Sequence, residues 1–275
     1  MSELVLLTGA TGFVGAQVLN SLHQSGKQVR LVLREGSENK IPQYSCIESI
    51  VSSSDIFAEN ELWWEKVCEG VDTAIHVAWY AEPGDYLRSS KNLDCLMGTL
   101  AFAKGAAKAK IRRFVGIGTC FEYELSGGYL SIETQLNPLT PYAACKVSAY
   151  SVLSSFFSEQ GIEFIWGRLF YLYGDGENPK RLVPYIRSKL QAGEIAELTS
   201  GAQIRDYLNV SEAGEMIVQA AFDATVGPIN ICSGVPITVR ELAEKIADEY
   251  GGRELLKFGA RADNLIDPPC VVGLT

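Results

Sequence analysis

Eight residues near the start of the chain, Thr8-Gly9-Ala10-Thr11-Gly12-Phe13-Val14-Gly15, limit its possible folds more than any other segment. They lie between a short apolar run at residues 4–8 and a stretch of helical periodicity at 14–23, and a second apolar run follows at 29–33. A short, continuous apolar run fits a strand buried on both faces, as in a parallel sheet covered by helices. Strand, glycine turn, helix and strand together form one strand–helix–strand unit. Further apolar runs at 73–78, 114–117 and 164–166, with a helical stretch rich in Ala, Leu and Lys at 93–110, repeat the alternation. The expected fold is α/β, a doubly wound parallel sheet of Rossmann type.

The glycine spacing is G-x-x-G-x-x-G, a close variant of the dinucleotide fingerprint. Gly9 permits the tight turn, Gly12 the approach of a pyrophosphate and Gly15 the packing of helix on strand. The helix N-terminus offers N–H groups and a positive dipole end, so Gly9, Thr11, Gly12, Phe13, Val14 and Gly15 are candidate cofactor contacts. An NAD enzyme commonly carries Asp or Glu at the end of the second strand, whereas this chain reads Leu33-Arg34-Glu35-Gly36-Ser37. An arginine there pairs with a 2′-phosphate, so NADP(H) is the preferred cofactor, with Ser37 a second phosphate contact and NAD(H) the alternative.

After Leu172 the texture changes, with Gly174, Gly176 and Pro179 opening a loop and Lys180, Arg181, Arg187 and Lys189 following. Residues 1–172 are therefore expected to form the dinucleotide-binding domain, and 173–275 a smaller substrate-binding lobe, part of which threads back onto the sheet. A strand at 228–232 and a helix at 239–250, capped by Thr238, are expected in this second segment. Ligand belongs between the two, at the carboxyl ends of the strands.

Composition narrows the partners. With 24 Lys and Arg against 33 Asp and Glu, the net charge of −9 argues against nucleic acid or an anionic membrane. Seven cysteines without a C-x-x-C pair read as reduced thiols, and two histidines rule out a histidine-rich metal cluster, so no metal is expected. No signal-peptide pattern and no apolar run near ~18 residues is present, which points to a cytoplasmic protein.

The segment Thr140-Pro141-Tyr142-Ala143-Ala144-Cys145-Lys146 starts a helix, with Thr140 as N-cap and Pro141 at N1. Tyr142 and Lys146 then project from one face. A phenol near pKa ~10 is a weak acid–base group at neutral pH, and a neighbouring ammonium together with the positive nicotinamide of an oxidised cofactor would lower it toward use.

With the glycine turn upstream, the chain resembles the extended short-chain dehydrogenase/reductase family of nucleotide-sugar epimerases, dehydratases and reductases. The resemblance covers nearly the whole chain and implies a triad completed by Thr119 in Gly116-Ile117-Gly118-Thr119-Cys120-Phe121-Glu122-Tyr123. It implies that Thr119 binds the substrate oxygen, Tyr142 transfers the proton and Lys146 holds the nicotinamide ribose. Asp55 would meet the adenine edge, and Ala78 ends the fourth strand beside the cofactor. Arg205-Asp206-Tyr207 resembles the family's R-D-[FY], whose arginine contacts the diphosphate. Tyr80, Glu122, Tyr171 and Arg181 are further substrate candidates, and a homodimer through helices 93–110 and 142–160 is implied.

Two departures from the family pattern stand out. The Asn that often lies three residues before the Gly-Thr of the fourth helix is Cys95, and the usual Asn of R-L-F-N-V-Y-G is Tyr171. Dehydratases carry Asp-Glu after the Ser or Thr, where this chain has Cys120-Phe121, and no histidine follows His76. His76 and Cys120 read as packed core residues. The remaining chemistry is hydride transfer, namely NADPH-dependent reduction of a nucleoside-diphosphate 4-keto-6-deoxyhexose at C4. A nucleotide-sugar 4-epimerase with retained NAD is the alternative. A small-ketone reductase and a non-catalytic NADP-sensing protein stand behind it.

Overall fold

The computed structural model describes residues 3–264 and 267–275. In chain order the strands are β1 (Leu4–Thr8), β2 (Gln28–Arg34), β3 (Ile47–Ser53), β4 (Thr73–His76), β5 (Arg113–Thr119), β6 (Tyr129–Leu130) and β7 (Glu163–Leu169). They continue with β8 (Tyr171–Tyr173), β9 (Ala196–Glu197), β10 (Ile204–Asn209), β11 (Gly227–Ile231), β12 (Pro236–Thr238), β13 (Leu256–Lys257) and β14 (Cys270–Gly273). The helices are α1 (Phe13–Gln24), α2 (Glu61–Val67), α3 (Lys91–Lys108), α4 (Pro141–Gln160), α5 (Leu182–Gln191), α6 (Val210–Phe222) and α7 (Val239–Tyr250).

Seven parallel strands form the main sheet in the order β11-β7-β5-β4-β1-β2-β3. Strand order reverses between β1 and β4, the switch point at which doubly wound sheets bind ligand. Both faces are covered. Val18, Leu19 and Leu22 of α1 and Ile217 and Val218 of α6 pack on one face. On the other lie Trp64 of α2, Phe102 of α3, and Leu153 and Phe157 of α4. This double burial explains why β1, β4 and β5 are written as unbroken apolar runs. The edge strand β3 alternates half-buried and exposed residues, so it lacks that signature.

The two sequence segments interleave. β10 runs into α6, which packs on α1, and β11 returns the chain to the edge of the main sheet beside β7. A second sheet, β12-β10-β14-β6, takes β6 from the first half of the chain, and β8 pairs with β10. Asp206 fastens this junction: its buried carboxylate accepts hydrogen bonds from the Ser233, Gly234 and Gly273 N–H groups and from the Ser233 hydroxyl. A small separate core lies between α5 and α7, built on Val183, Ile186, Leu242 and Ile246.

His76 belongs to a buried hydrogen-bond chain that also fixes its tautomer. The Thr99 hydroxyl donates to the Cys95 carbonyl at 2.7 Å, so it can only accept from His76 Nε2 at 2.9 Å. His76 Nδ1 then accepts from Thr8 Oγ1 at 2.8 Å, and that oxygen accepts the Ala78 N–H at 3.3 Å. Burial, reinforced by the charge of Lys146, pushes the imidazole down to about 3. The unfolded chain takes up this proton near pH ~6.5 and the folded one only near 3, so the contribution of His76 to stability falls as pH drops through that window. The limiting slope is ~1.4 kcal/mol per pH unit. Urea unfolding from pH 7 to 4 should show a shallower decline for His76→Asn than for the parent; equal slopes would contradict this.

Candidate active site

At the switch point, Gly9 has φ +78°, and a Cβ there would lie 2.7 Å from the Ala78 nitrogen. A Cβ on Gly15 would lie 2.0 Å from the Gly9 carbonyl oxygen, so α1 reaches the turn only because position 15 is glycine. Gly12 is the N-cap of α1, and no side chain caps the first turn. An uncapped helix N-terminus over a glycine cradle is what a dinucleotide pyrophosphate requires, so the residues fit the cofactor. Thr11 and Gly12 are exposed, with Phe13 and Val14 half-buried behind them.

Arg34 ends β2 exposed and makes no ion pair among the described residues. Ser37 is placed differently from expectation. Its hydroxyl donates to the Arg34 carbonyl at 2.5 Å, closing the turn through Gly36, so its proton is already committed and not open to a phosphate. Asp55 is exposed past β3, with one carboxylate oxygen on the Phe57 N–H and the other open.

Thr119 ends β5, and Thr140 caps α4 by accepting the Ala143 N–H at 3.2 Å, which presents Tyr142 and Lys146 toward that strand end. The Thr119 side chain acts on the Tyr142 phenol, and Lys146 lies at the same strand end. Lys146 is buried, donates to the Ile117 carbonyl at 2.6 Å and sits 3.7 Å from the centre of the Trp79 ring. Burial pushes its ammonium down to about 7, against the pull of Glu122.

The electrostatics of Tyr142 reverse the expectation from sequence. Burial, then Tyr86 and Glu122, raise its phenol above the ordinary range, and the Thr119 side chain acts the other way. The Lys146 ammonium is directed at a backbone carbonyl, 6.0 Å from the tyrosine ring centre. Tyr142 is therefore held protonated, as a proton donor.

Two substrate candidates are placed elsewhere. The Tyr80 hydroxyl donates to Asp85 at 2.7 Å, and its ring lies under Lys91, so it is turned into its own loop. The tyrosine that faces the site is Tyr86, edge-on to Tyr142 at 4.9 Å. Asn92 holds that loop: its amide donates to the Tyr86 and Ser89 carbonyls and accepts from the Trp79 indole. Glu122 is completely buried, so a sugar hydroxyl cannot touch it; Arg168, Trp166 and the Thr119 N–H occupy its carboxylate. Tyr171 does face the cleft, meeting Phe121 edge-on at 6.3 Å, with the Arg205 guanidinium 5.2 Å from its ring centre.

Phe121, Tyr171, Gln203, Arg205, Tyr207 and Asp267 line a cleft of about 350 Å³. Arg205 is buried, yet its hydrogen bond goes to its neighbour's carbonyl, Ile204, and it has no ion pair among the described residues. A buried guanidinium without a carboxylate calls for an anion from outside. Arg181 is exposed before α5, close enough for its charge to act on Tyr86, Glu177 and the cleft residue Tyr207. A wider surface hollow of about 660 Å³, beside β3, shares none of these side chains.

The model of the NAD dependent epimerase/dehydratase family matches residues 5–232. The chain is similar to a dTDP-6-deoxy-L-talose 4-dehydrogenase (NAD(+)) of Aggregatibacter actinomycetemcomitans, 24% identical over 248 residues that cover 90% of each protein. In structure it is similar to a UDP-N-acetylglucosamine 4-epimerase from Methanobrevibacter ruminantium M1 in complex with UDP-N-acetylmuramic acid. That match has a TM-score of 0.86 at 20% identity and covers 99% of this chain and 90% of the other. A dTDP-glucose 4,6-dehydratase from Streptomyces venezuelae with NAD bound gives 0.79 at 21% identity, over 98% and 87%.

Proposed function

The chain belongs to the NAD dependent epimerase/dehydratase family, and from that premise we propose that it reduces a nucleoside-diphosphate 4-keto-6-deoxyhexose at C4, with NADPH as the preferred cofactor. The observation that carries this reading is a single protonated Tyr142 at the Thr119 strand end, with the two following positions closed to acid–base work. Burial pushes the Cys120 thiol up to about 12, and Phe121 is apolar. Dehydration needs a second acid–base group at that place; hydride transfer does not.

A bound nicotinamide dinucleotide supplies the hydride. The chain's own residues do the rest: the Thr119 hydroxyl orients the carbonyl oxygen, Tyr142 donates the proton to the new alkoxide, and Lys146 holds the nicotinamide ribose. The turn Gly9–Gly15 cradles the pyrophosphate, and Arg34 takes the 2′-phosphate. Arg205, with Arg181 at the rim, clamps the substrate diphosphate above Tyr171. The apolar residues Leu93 and Met97 on α3 and Val152 on α4 are exposed, and pairing of two copies across these helices is part of this reading. Light scattering should return the mass of a dimer; a monomer at working concentration would remove that part.

The experiment is loss of NADPH absorbance with a panel of UDP-, dTDP-, GDP- and CDP-linked 4-keto-6-deoxyhexoses, repeated with Arg205→Ala. At least one sugar nucleotide should be turned over. The variant should raise KM about ten- to a hundredfold, the loss of a hydrogen bond to a charged group, without weakening NADPH binding. No turnover with any member refutes the substrate class, and an unchanged KM moves the diphosphate away from Arg205.

A further inference from the structure

Directly behind Thr119 lies a buried charge that the hydride-transfer reading does not use. Glu122 closes a one-turn 3-10 helix, Cys120–Glu122, and none of its surface reaches solvent. Its Oε1 accepts the Thr119 N–H at 2.8 Å and the Trp166 indole at 3.0 Å; its Oε2 accepts Arg168 Nε at 2.7 Å. Every one of these partners is a donor. A proton on this carboxyl would find no acceptor among them, so the site is built for a carboxylate. The surroundings are shaped to hold it: a Cβ on Gly118 would lie 2.3 Å from both Glu122 Oε1 and the Trp166 indole nitrogen. Arg168 is likewise buried, and its Nη1 donates to the Tyr123 hydroxyl, which donates to Asn230 at 2.7 Å. Asn230 in turn donates to the Leu130 and Leu274 carbonyls, tying the network to β6 and to the end of the chain.

The network meets the triad at two points. Glu122 fixes the backbone of Thr119, and Lys146 binds the carbonyl two residues earlier, at Ile117. The groups that act on Lys146 are Glu122, Cys95 of α3 and His76 of β4, with Tyr142 one turn away on α4. Burial keeps the Cys95 thiol up at about 11, the imidazole is neutral and Tyr142 is protonated; burial also pushes the Glu122 carboxyl up, but Arg168 and the Thr119 and Trp166 N–H donors oppose it, which leaves Glu122 as the negative charge.

We propose that Glu122 is a positioning residue of the active site, a buried carboxylate that sets the Thr119 backbone and places a negative charge at the β5 strand end that Lys146 binds. The Arg168 guanidinium pays the cost of burying it. Removing both partners would leave the net charge around Lys146 unchanged, so the informative variant is the near-isosteric Glu122→Gln, with Glu122→Asp as the change that keeps the charge.

The inference rests on the Thr119–Tyr142–Lys146 assignment but on no particular sugar, so its main readout is taken without substrate or cofactor. The 13Cε shift of Lys146, assigned by its loss in Lys146→Met, is followed against pH in the full chain. In the parent the ammonium is lost near neutrality; in Glu122→Gln the midpoint should fall by about one pH unit or more, because the opposite charge has gone while Arg168 stays. A midpoint unmoved in Glu122→Gln overturns the proposal, since a merely structural strut would not hold a proton on Lys146. Glu122→Asp keeps the charge and withdraws the carboxylate from the Thr119 N–H. It should retain the Lys146 midpoint while lowering kcat about tenfold with little change in KM. If Glu122→Gln does not fold, Glu122→Asp decides: a midpoint that moves with it, or unchanged kcat, overturns the assignment.

Discussion

Tyr142→Phe is expected to lower kcat by about 10²–10⁴, the usual scale for losing a general acid. In the proposed triad the phenol is the proton donor, and burial together with Tyr86 and Glu122 keeps it protonated at neutral pH. Phenylalanine retains the ring that Tyr86 packs against edge-on and removes only the hydroxyl, so the fold and the dinucleotide cradle should be unaffected. Because the proton moves in the transition state, the loss should fall on kcat, with KM and cofactor affinity nearly unchanged. Initial rates by NADPH absorbance and cofactor titration by quenching of intrinsic fluorescence measure the two separately. Turnover near that of the parent would remove Tyr142 from the chemistry.

The parts of this site that were legible in the sequence are those written in short range. The glycine turn, the Thr140-Pro141 helix start and the Tyr142–Lys146 spacing each lie within one turn or one helix, and each is found where its local chemistry puts it. The helix Val239–Tyr250 is a similar case, with Thr238 and Glu241 forming a reciprocal cap. What escaped is held by partners far apart in the chain. Glu122 reads locally as a loop charge, and only its bond to Arg168, 46 residues on, makes it an interior ion pair.

Asn92 shows the same limit from another side. The family pattern directs attention to Cys95, whose sulfur accepts the Tyr80 N–H, while the asparagine one turn earlier pins the loop that presents Tyr86. No periodicity within that loop distinguishes Tyr80 from Tyr86; a signal was available only in the pairing of Tyr80 with Asp85. The edge strand β3 was silent because one of its faces is open to water.

Arg34→Asp should reverse the cofactor preference, and this substitution separates a reductase from an epimerase more sharply than any change at the triad. Arg34 stands exposed at the end of β2, at the start of a turn closed by the Ser37 hydroxyl, and among the described residues no carboxylate holds its guanidinium. A 2′-phosphate at that strand end gains a charge-assisted, bidentate partner. Aspartate removes that attraction, adds a repulsion and offers the NADH ribose an acceptor for its 2′-hydroxyl, so the two halves of the effect add in one direction. Each half is worth ~1–2 kcal/mol at a solvated site, which makes the combined swing in the NADPH-to-NADH ratio about tenfold to a thousandfold. Paired titrations of both cofactors on parent and variant give that ratio without any sugar nucleotide. If the parent purifies with NAD bound, or if the ratio ignores residue 34, the positive charge at the strand end is incidental. A retained NAD that cycles hydride through one sugar, as a 4-epimerase uses it, would then account for the same Thr119, Tyr142 and Lys146.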